Sequence, residues 1–231
     1  MTIATPYTAM LYVGCVVGVY AGAAVAAAEG IDSGRFALTA VALLAPGLIG
    51  ARLWFVFQHL RQFRPDPRRI WRRPEGGSAL YGGFAASLLV SLPLLHFVEL
   101  PFLRFWDAGS VTTIVGLVLT RFGCLARGCC AGRVTDGRVG FRLPNAEGIW
   151  ARRFPTQIAE AGWGSVLLAS ALIARPSLPT GGVFALLLGG YAGCRLLLEP
   201  TREAWPTRRA RANVVASGVL VAAACALLLS R

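Results

Sequence analysis

Residues Gly181–Glu199 read GGVFALLLGGYAGCRLLLE, with no charge before Arg195 and an acid at the last position. As an α-helix a stretch of this length rises about 28 Å, close to the roughly 30 Å of a bilayer's hydrocarbon core. It therefore reads as a membrane span. Arg195 and Glu199 stand four residues apart, share one helix face and can pair there.

Six further apolar segments of spanning length, roughly 17–25 residues, lie at Tyr7–Glu29, Ala37–His59, Ala79–Val98, Trp106–Leu125, Ile158–Arg175 and Ala212–Leu229. Pro93 interrupts the third, and the fifth is short and rich in Ala and Gly. None shows the alternation of a barrel strand. Across its 231 residues the chain is 55% hydrophobic and 15% charged, with a mean hydropathy of +0.59; soluble domains carry about 45–50% apolar and about 25% charged residues. That balance excludes a disordered chain, a collagen-like chain and a small disulfide scaffold. The expected fold is all-α: a polytopic integral membrane protein of about seven transmembrane helices in one domain over residues 1–231, with residues 126–157 as a small extramembrane cap. The first segment has no basic residue ahead of it and no small-residue cleavage site, so it is expected to stay as a helix.

All 23 basic residues are arginine, against 11 acids, for a net charge of +12. A solvated nucleic-acid-binding surface would mix in lysine, so no nucleic-acid partner is expected; arginine alone suits bidentate contact with phosphate or carboxylate. With seven spans, sixteen arginines fall on the N-terminal side and four, Arg35, Arg104, Arg175 and Arg231, on the other. Counted by the positive-inside rule, the N-terminal side is cytoplasmic.

Arg52, Arg121 and Arg195 fall inside apolar segments, where each costs about 2.5–3.5 kcal/mol at a helix centre. Alternate threading puts Arg52, Arg121, Glu160, Arg195 and Glu199 toward one leaflet. Interhelical salt bridges or snorkelling would account for any one of them; five together suit an anionic, amphipathic ligand, and a phospholipid headgroup fits best. The fourth span ends in RFGCLARGCCAGR, residues 121–133, dense in Gly, Arg and Cys. As a metal site the pattern is weak, because Cys124, Cys129 and Cys130 supply three thiols and neither His59 nor His96 is near in sequence. Cys15, Cys194 and Cys225 sit in apolar helices as packing residues, and the two histidines lie at helix ends.

Several spaced motifs, in one order, resemble the prolipoprotein diacylglyceryl transferase family. Residues 120–133 keep Arg121, Gly123, Gly128, Gly132 and Arg133 of its signature Gly-Arg-x-Gly-Asn-Phe-x-Asn-Gly-Glu followed by Trp-Gly-Arg. Tyr7, Met10 and Gly14 match its first-helix pattern, and Gly50-Ala51-Arg52-Leu53 resembles its Gly-Gly-Arg-Ile. Gly76-Gly77-Ser78-Ala79-Leu80-Tyr81-Gly82-Gly83 is similar to its Gly-Gly-Met-Ser-Phe-His-Gly-Gly. Arg153 to Glu160 is similar to its Arg-His-Pro-Ser-Gln-Leu-Tyr-Glu, and Gly190 to Glu203 to its Tyr-Gly-x-x-Arg-Phe-x-x-Glu-x-x-Arg-Glu.

The resemblance implies that a lipobox cysteine of a lipoprotein precursor attacks the glyceryl carbon bearing phosphate in phosphatidylglycerol, and glycerol phosphate leaves. It implies catalytic roles for Arg121 and Arg195 on the departing phosphate, with Glu199 orienting Arg195 and Glu160 or Tyr81 relaying the acceptor proton. Tyr7, Arg52, Gly82, Gly123, Gly128, Gly132, Arg133 and Gln157 would bind substrate. The scheme needs no metal and no organic cofactor, and its partners are phosphatidylglycerol, a lipobox-containing precursor and membrane lipids. It places the chain in the bacterial cytoplasmic (inner) membrane with the charged face outward, against the arginine count. The departures are specific: Tyr81 stands for the family's histidine, Cys124 for its signature asparagine and Cys129 for its signature glutamate. A phenol with an unperturbed pKa near 10 is a poor base at neutral pH. Two alternatives follow, a same-fold transferase with another acceptor, or a non-enzymatic membrane protein that binds anionic lipid or uses the cysteines for redox or metal chemistry.

Overall fold

The computed structural model describes residues 6–66, 68, 70 and 80–230. Among them the helices are α1 (Pro6–Ala28), α2 (Ser33–Ala42), α3 (Leu44–Gln58), α4 (Leu60–Phe63), α5 (Leu80–Phe97), α6 (Phe102–Arg127), α7 (Thr156–Ala174), α8 (Gly182–Leu198) and α9 (Arg208–Leu229). Strands β1 (Phe141–Pro144) and β2 (Trp150–Arg153) form a hairpin between α6 and α7. Taken together with short helical extensions, seven spans are long and apolar enough to cross a membrane, and each overlaps one of the seven predicted segments. The protein is an all-α, multi-pass membrane protein. The motif residues Gly76-Gly77-Ser78-Ala79, and Arg69, Arg72 and Arg73, lie outside the described residues.

Where the spans differ from expectation, polar residues at their ends explain it. Asp32 caps α2, its side chain accepting from the Arg35 backbone N–H at 2.7 Å, so the second span starts four residues before Ala37. Thr207 caps α9 in the same way through the Ala210 N–H. That draws Arg208, Arg209 and Arg211 out of the predicted loop and into the first turn. The second span also breaks at Leu43, between α2 and α3. Pro93 sits inside α5 without ending it; it removes one backbone donor, a defect that membrane helices tolerate.

The helices group into two compact units, Met1–Gly30 with Leu103–Arg231, and Ile31–Phe102. In the smaller unit α3 packs on α5 at glycine contacts. A Cβ on Gly50 would lie 2.6 Å from the Gly82 carbonyl oxygen, and one on Gly82 would lie 2.6 Å from that of Gly50 and 2.2 Å from Trp54 Cβ. In the larger unit α1 meets α6 the same way, Gly14 against Gly116 and Gly18 against the Thr112 carbonyl. Without a hydrophobic driving force between helices in lipid, small residues allow the close approach that dispersion requires.

One end of the larger unit is tied by an intramembrane acid that sequence reading passes over. Asp107, buried near the start of α6, accepts from the Gly181 N–H at 2.7 Å and the Phe184 N–H at 2.8 Å, satisfying the exposed donors at the start of α8. Beside it Arg175 Nε pairs with Glu29 at 2.9 Å, joining the end of α7 to that of α1. Asp107→Ala is expected to destabilise the protein by about 1–3 kcal/mol, the loss of hydrogen bonds to a charged cap. Denaturant unfolding of the detergent-solubilised protein measures it, and an unchanged midpoint would remove Asp107 from the fold's support.

Candidate active site

At the other end of the larger unit, three helices and the segment after α8 bring their charges to one point. Glu160, in the first turns of α7, has a side chain with no exposure. Its Oε2 lies 2.6 Å from Arg121 Nε of α6, and its Oε1 lies 2.8 Å from Arg195 NH1 of α8. Arg202 NH2 pairs with the same Oε1. Arg195 NH2 pairs with Glu199 Oε2, the predicted helix-face pair, and Glu199 Oε1 accepts from Asn213 Nδ2 of α9 at 2.9 Å. Tyr191, one turn before Arg195, accepts from Arg121 NH2 at 3.1 Å and donates to Glu160 at 3.4 Å.

Three guanidiniums thus face two carboxylates, which leaves the cluster one positive charge in excess. Arg195 is nearly sealed, whereas the Arg121 and Arg202 side chains keep 12% and 14% of their surface, so the cluster's remaining exposure lies on those two edges. Phosphate geometry suits such paired guanidinium forks.

The β1–β2 hairpin is strapped to the segment that carries Arg202. Arg153 of β2 is buried and pairs with Glu203 at 2.8 Å, and Glu203 also accepts from Asn145 Nδ2 at 3.3 Å. The Arg133 backbone N–H donates to the Thr201 carbonyl at 2.8 Å, which sets the exposed Arg133 side chain beside the Arg202 segment. Gln157 Nε2 donates to the Cys129 carbonyl at 2.8 Å, tying the start of α7 to the turn after α6. In that turn the sulfurs of Cys124, Cys129 and Cys130 lie within 4.8 Å of one another. Hydrogen bonds from Cys124 and Cys129 hold the exposed Cys130 thiol below the usual thiol range, against desolvation by its neighbours and with help from Arg121 and Arg202.

Of the predicted site residues, Arg121, Glu160, Arg195 and Glu199 meet in this cluster, with Arg133 on the adjoining loop and Gln157 at the start of α7. Tyr7 stacks under the Arg127 guanidinium at 5.9 Å. The predicted glycines are in backbone contacts: Gly123 lies against Met10 and Tyr7 of α1, Gly128 (φ +73°) against the Asn145 carbonyl, and Gly132 against the Phe154 carbonyl. Arg52, Tyr81 and Gly82 belong to the smaller unit. There the Arg52 Nε donates to the Ile70 carbonyl at 2.6 Å, its guanidinium lies over the Phe55 and Phe63 rings, and Tyr81 opens α5. Tyr191 and Arg202 are not among the predicted site residues, although both lie in the quoted motif. The signals were Tyr191 four residues before Arg195, and Arg202 three after Glu199.

These features define a multi-pass membrane protein with a buried, net-cationic cluster at one end of a helical unit. A profile described as prolipoprotein diacylglyceryl transferase matches residues 2–230. The chain belongs to that family. It is similar to the phosphatidylglycerol–prolipoprotein diacylglyceryl transferase of Legionella pneumophila (strain Philadelphia 1), at 30% identity over 71% of this chain and 63% of that protein. It is also similar to the same-named protein of Bordetella bronchiseptica, at 31% identity over 68% of this chain and 60% of the relative. The chain spans less than two thirds of the length of these two relatives.

Glu160 is the common counter-ion of three cations, so its loss leaves them buried with one carboxylate between them. Glu160→Ala is expected to cost about 3–5 kcal/mol, the penalty of breaking a buried ion network from one side. Thermal unfolding in detergent tests this, and a shift within that of an exposed control such as Glu147→Ala would contradict it.

Proposed function

We propose that this chain transfers the diacylglyceryl group of phosphatidylglycerol to the cysteine thiol of a lipobox-bearing lipoprotein precursor. The observation that carries the reading is the excess positive charge of the Arg121–Arg195–Arg202 cluster around Glu160, which suits the single negative charge of a phosphodiester lipid. The two similar proteins carry phosphatidylglycerol and prolipoprotein in their names.

In this reaction the acceptor sulfur forms a bond to the glyceryl carbon, the carbon–oxygen bond to phosphate breaks, and glycerol phosphate leaves with the bonding pair. The acceptor proton passes to a base or to water. Arg121 and Arg202, at the open edge, meet the phosphate oxygens as charge develops on the leaving group, and Arg195 adds its field from beneath. Glu199 orients Arg195. Both Glu160 oxygens are occupied by guanidiniums, so we assign it to holding the arginines and leave the proton to solvent. Arg133 lies on the exposed loop where the headgroup enters, Gln157 of α7 and Tyr7 of α1 support the adjoining turn, and Arg52 is the substrate-binding candidate of the smaller unit. The glycine contacts hold the turn and helices close enough for this arrangement. The site works in the bacterial cytoplasmic membrane, where precursors and lipid meet. The convergence of the three thiols, where the family keeps asparagine and glutamate, also favours a second reading, a same-fold transferase with another acceptor.

Arg121→Ala and Arg195→Ala are each expected to lower transfer by on the order of 100-fold or more while the protein stays inserted. The measurement is the product formed from labelled phosphatidylglycerol and a lipobox peptide. Near-normal turnover in either inserted variant would take that arginine out of the chemistry.

Sidedness gives an independent test. We assign the charged face to the outside, because many of the sixteen arginines on that side lie in the site or the cap and report ligand binding more than topology, a rule that counts best over short plain loops. Single reporter cysteines in the Arg61–Arg73 loop, in a background without native cysteines, are expected to react with an impermeant thiol reagent on intact cells. Labelling that appears only after lysis would put the face inside and sink the precursor-lipidating reading.

A further inference from the structure

The cysteine turn goes beyond the needs of phosphate binding. Cys124 is buried at the end of α6, Cys129 is half-buried and Cys130 is exposed, and all three are free thiols. Gly128 and Cys130 both adopt left-handed backbone conformations, φ +73° and +60°. For a cysteine that is uncommon, and it folds two adjacent residues back so that their sulfurs meet the third within 4.8 Å. A metal–sulfur distance of about 2.3 Å puts the sulfurs of one coordination sphere about 4 Å apart. The 4.8 Å limit on the three separations is compatible with that spacing.

The surroundings suit thiolates. Arg121 NH1 approaches the Cys124 sulfur at 4.0 Å, Arg202 bears on Cys130 and Arg127 on Cys129. Three thiolates around a divalent ion carry a net charge of −1, and around a monovalent ion −2, so nearby guanidiniums stabilise the complex as well as the thiolates. Soft sulfur ligands select soft cations.

We propose that Cys124, Cys129 and Cys130 form a three-thiolate site for one thiophilic metal ion, of the Zn(II) or Cu(I) class. The exposed Cys130 gives the ion its way in. With Zn(II), three protein ligands leave one position open, as at zinc sites that act on substrates. Resting on the transfer reading above, that position takes the acceptor cysteine. Coordination deprotonates a thiol outright, the proton passing to water, beside the Arg121 that meets the leaving phosphate. The ion thereby supplies the thiol activation for which Tyr81 is poorly suited.

The test uses the reduced full-length protein in detergent, titrated separately with Zn(II), Cu(I) and, as a spectroscopic probe, Cd(II). Expected are one Cd(II) per chain, a thiolate-to-metal charge-transfer absorption, its competition by Zn(II) or Cu(I), and loss of the absorption in Cys129→Ser and in Cys130→Ser. The triple variant Cys15→Ala, Cys194→Ala, Cys225→Ala keeps it. Absorption that survives in Cys130→Ser, or disappears only in the triple variant, overturns the site. So does the loss of two of the six thiols to a disulfide on aerobic handling in the presence of Zn(II), which would mark the cluster as a redox pair. The acceptor step has its own readout: adding a lipobox peptide is expected to shift the Cd(II) absorption, and a cysteine-to-serine peptide is not. Metal binding with no shift overturns that step and leaves the metal site. Metal-independent binding of phosphatidylglycerol is unaffected by either result, so failure here is distinguishable from failure of the transfer reading.

Discussion

The Glu160 carboxylate is the constraint around which the larger unit is arranged. It stands with no side-chain exposure and takes Arg121 from α6, Arg195 from α8 and Arg202 from the segment beyond it. In hydrocarbon each of these groups is costly without a partner. Because a carboxylate has two oxygens and a guanidinium a planar fork, the pairing fixes the rotation of three structural elements about one point as well as their proximity. Glu199 then anchors Arg195 from its own helix and reaches Asn213 of α9. The result is a fixed array of positive charge, the preorganised arrangement on which the proposed phosphate chemistry rests.

How much of this the chain discloses before it folds depends on the kind of signal. The spans are legible because hydrocarbon thickness imposes length and apolarity on each segment independently of its neighbours. Their ends are less so: Thr207 and Asp32 extend α9 and α2 by capping, an effect of one hydroxyl or carboxylate that hydropathy does not register. Arg121, Glu160, Arg195 and Glu199 stand out as charges where charge is costly. Asp107 is equally costly and equally buried, but at the edge of an apolar run it reads as a flank, and its role depends on meeting the Gly181 turn 74 residues on. Tyr191 carries no charge at all and shows itself only through its spacing from Arg195.

The glycines show the converse. Gly123, Gly128 and Gly132 match a family signature, and sequence alone suggests a backbone laid open to a ligand. In the fold, each is pressed against another part of the same unit, Tyr7 and Met10, the Asn145 carbonyl, and the Phe154 carbonyl respectively. A missing side chain reports close approach but not what approaches, and inside a membrane bundle the nearest candidate is another segment of the same chain.

The same reasoning bears on the arginines that enter a count of topology. Arg153, on the arginine-rich side, is buried against Glu203 and straps the hairpin down. Arg202, also counted there, belongs to the Glu160 cluster. Arg208, Arg209 and Arg211 form the first turn of a span instead of a loop. A cation committed to a folded contact is not a free flanking charge of the kind whose bias orients helices on insertion. Such commitments fall on both sides, since Arg175 is paired with Glu29 and Arg35 donates to the Val98 carbonyl, so the arginine tally on each side overstates the charge left free to orient helices. The arginine count is therefore a weak reporter of orientation in this chain, because several of its cations are structural parts of the fold.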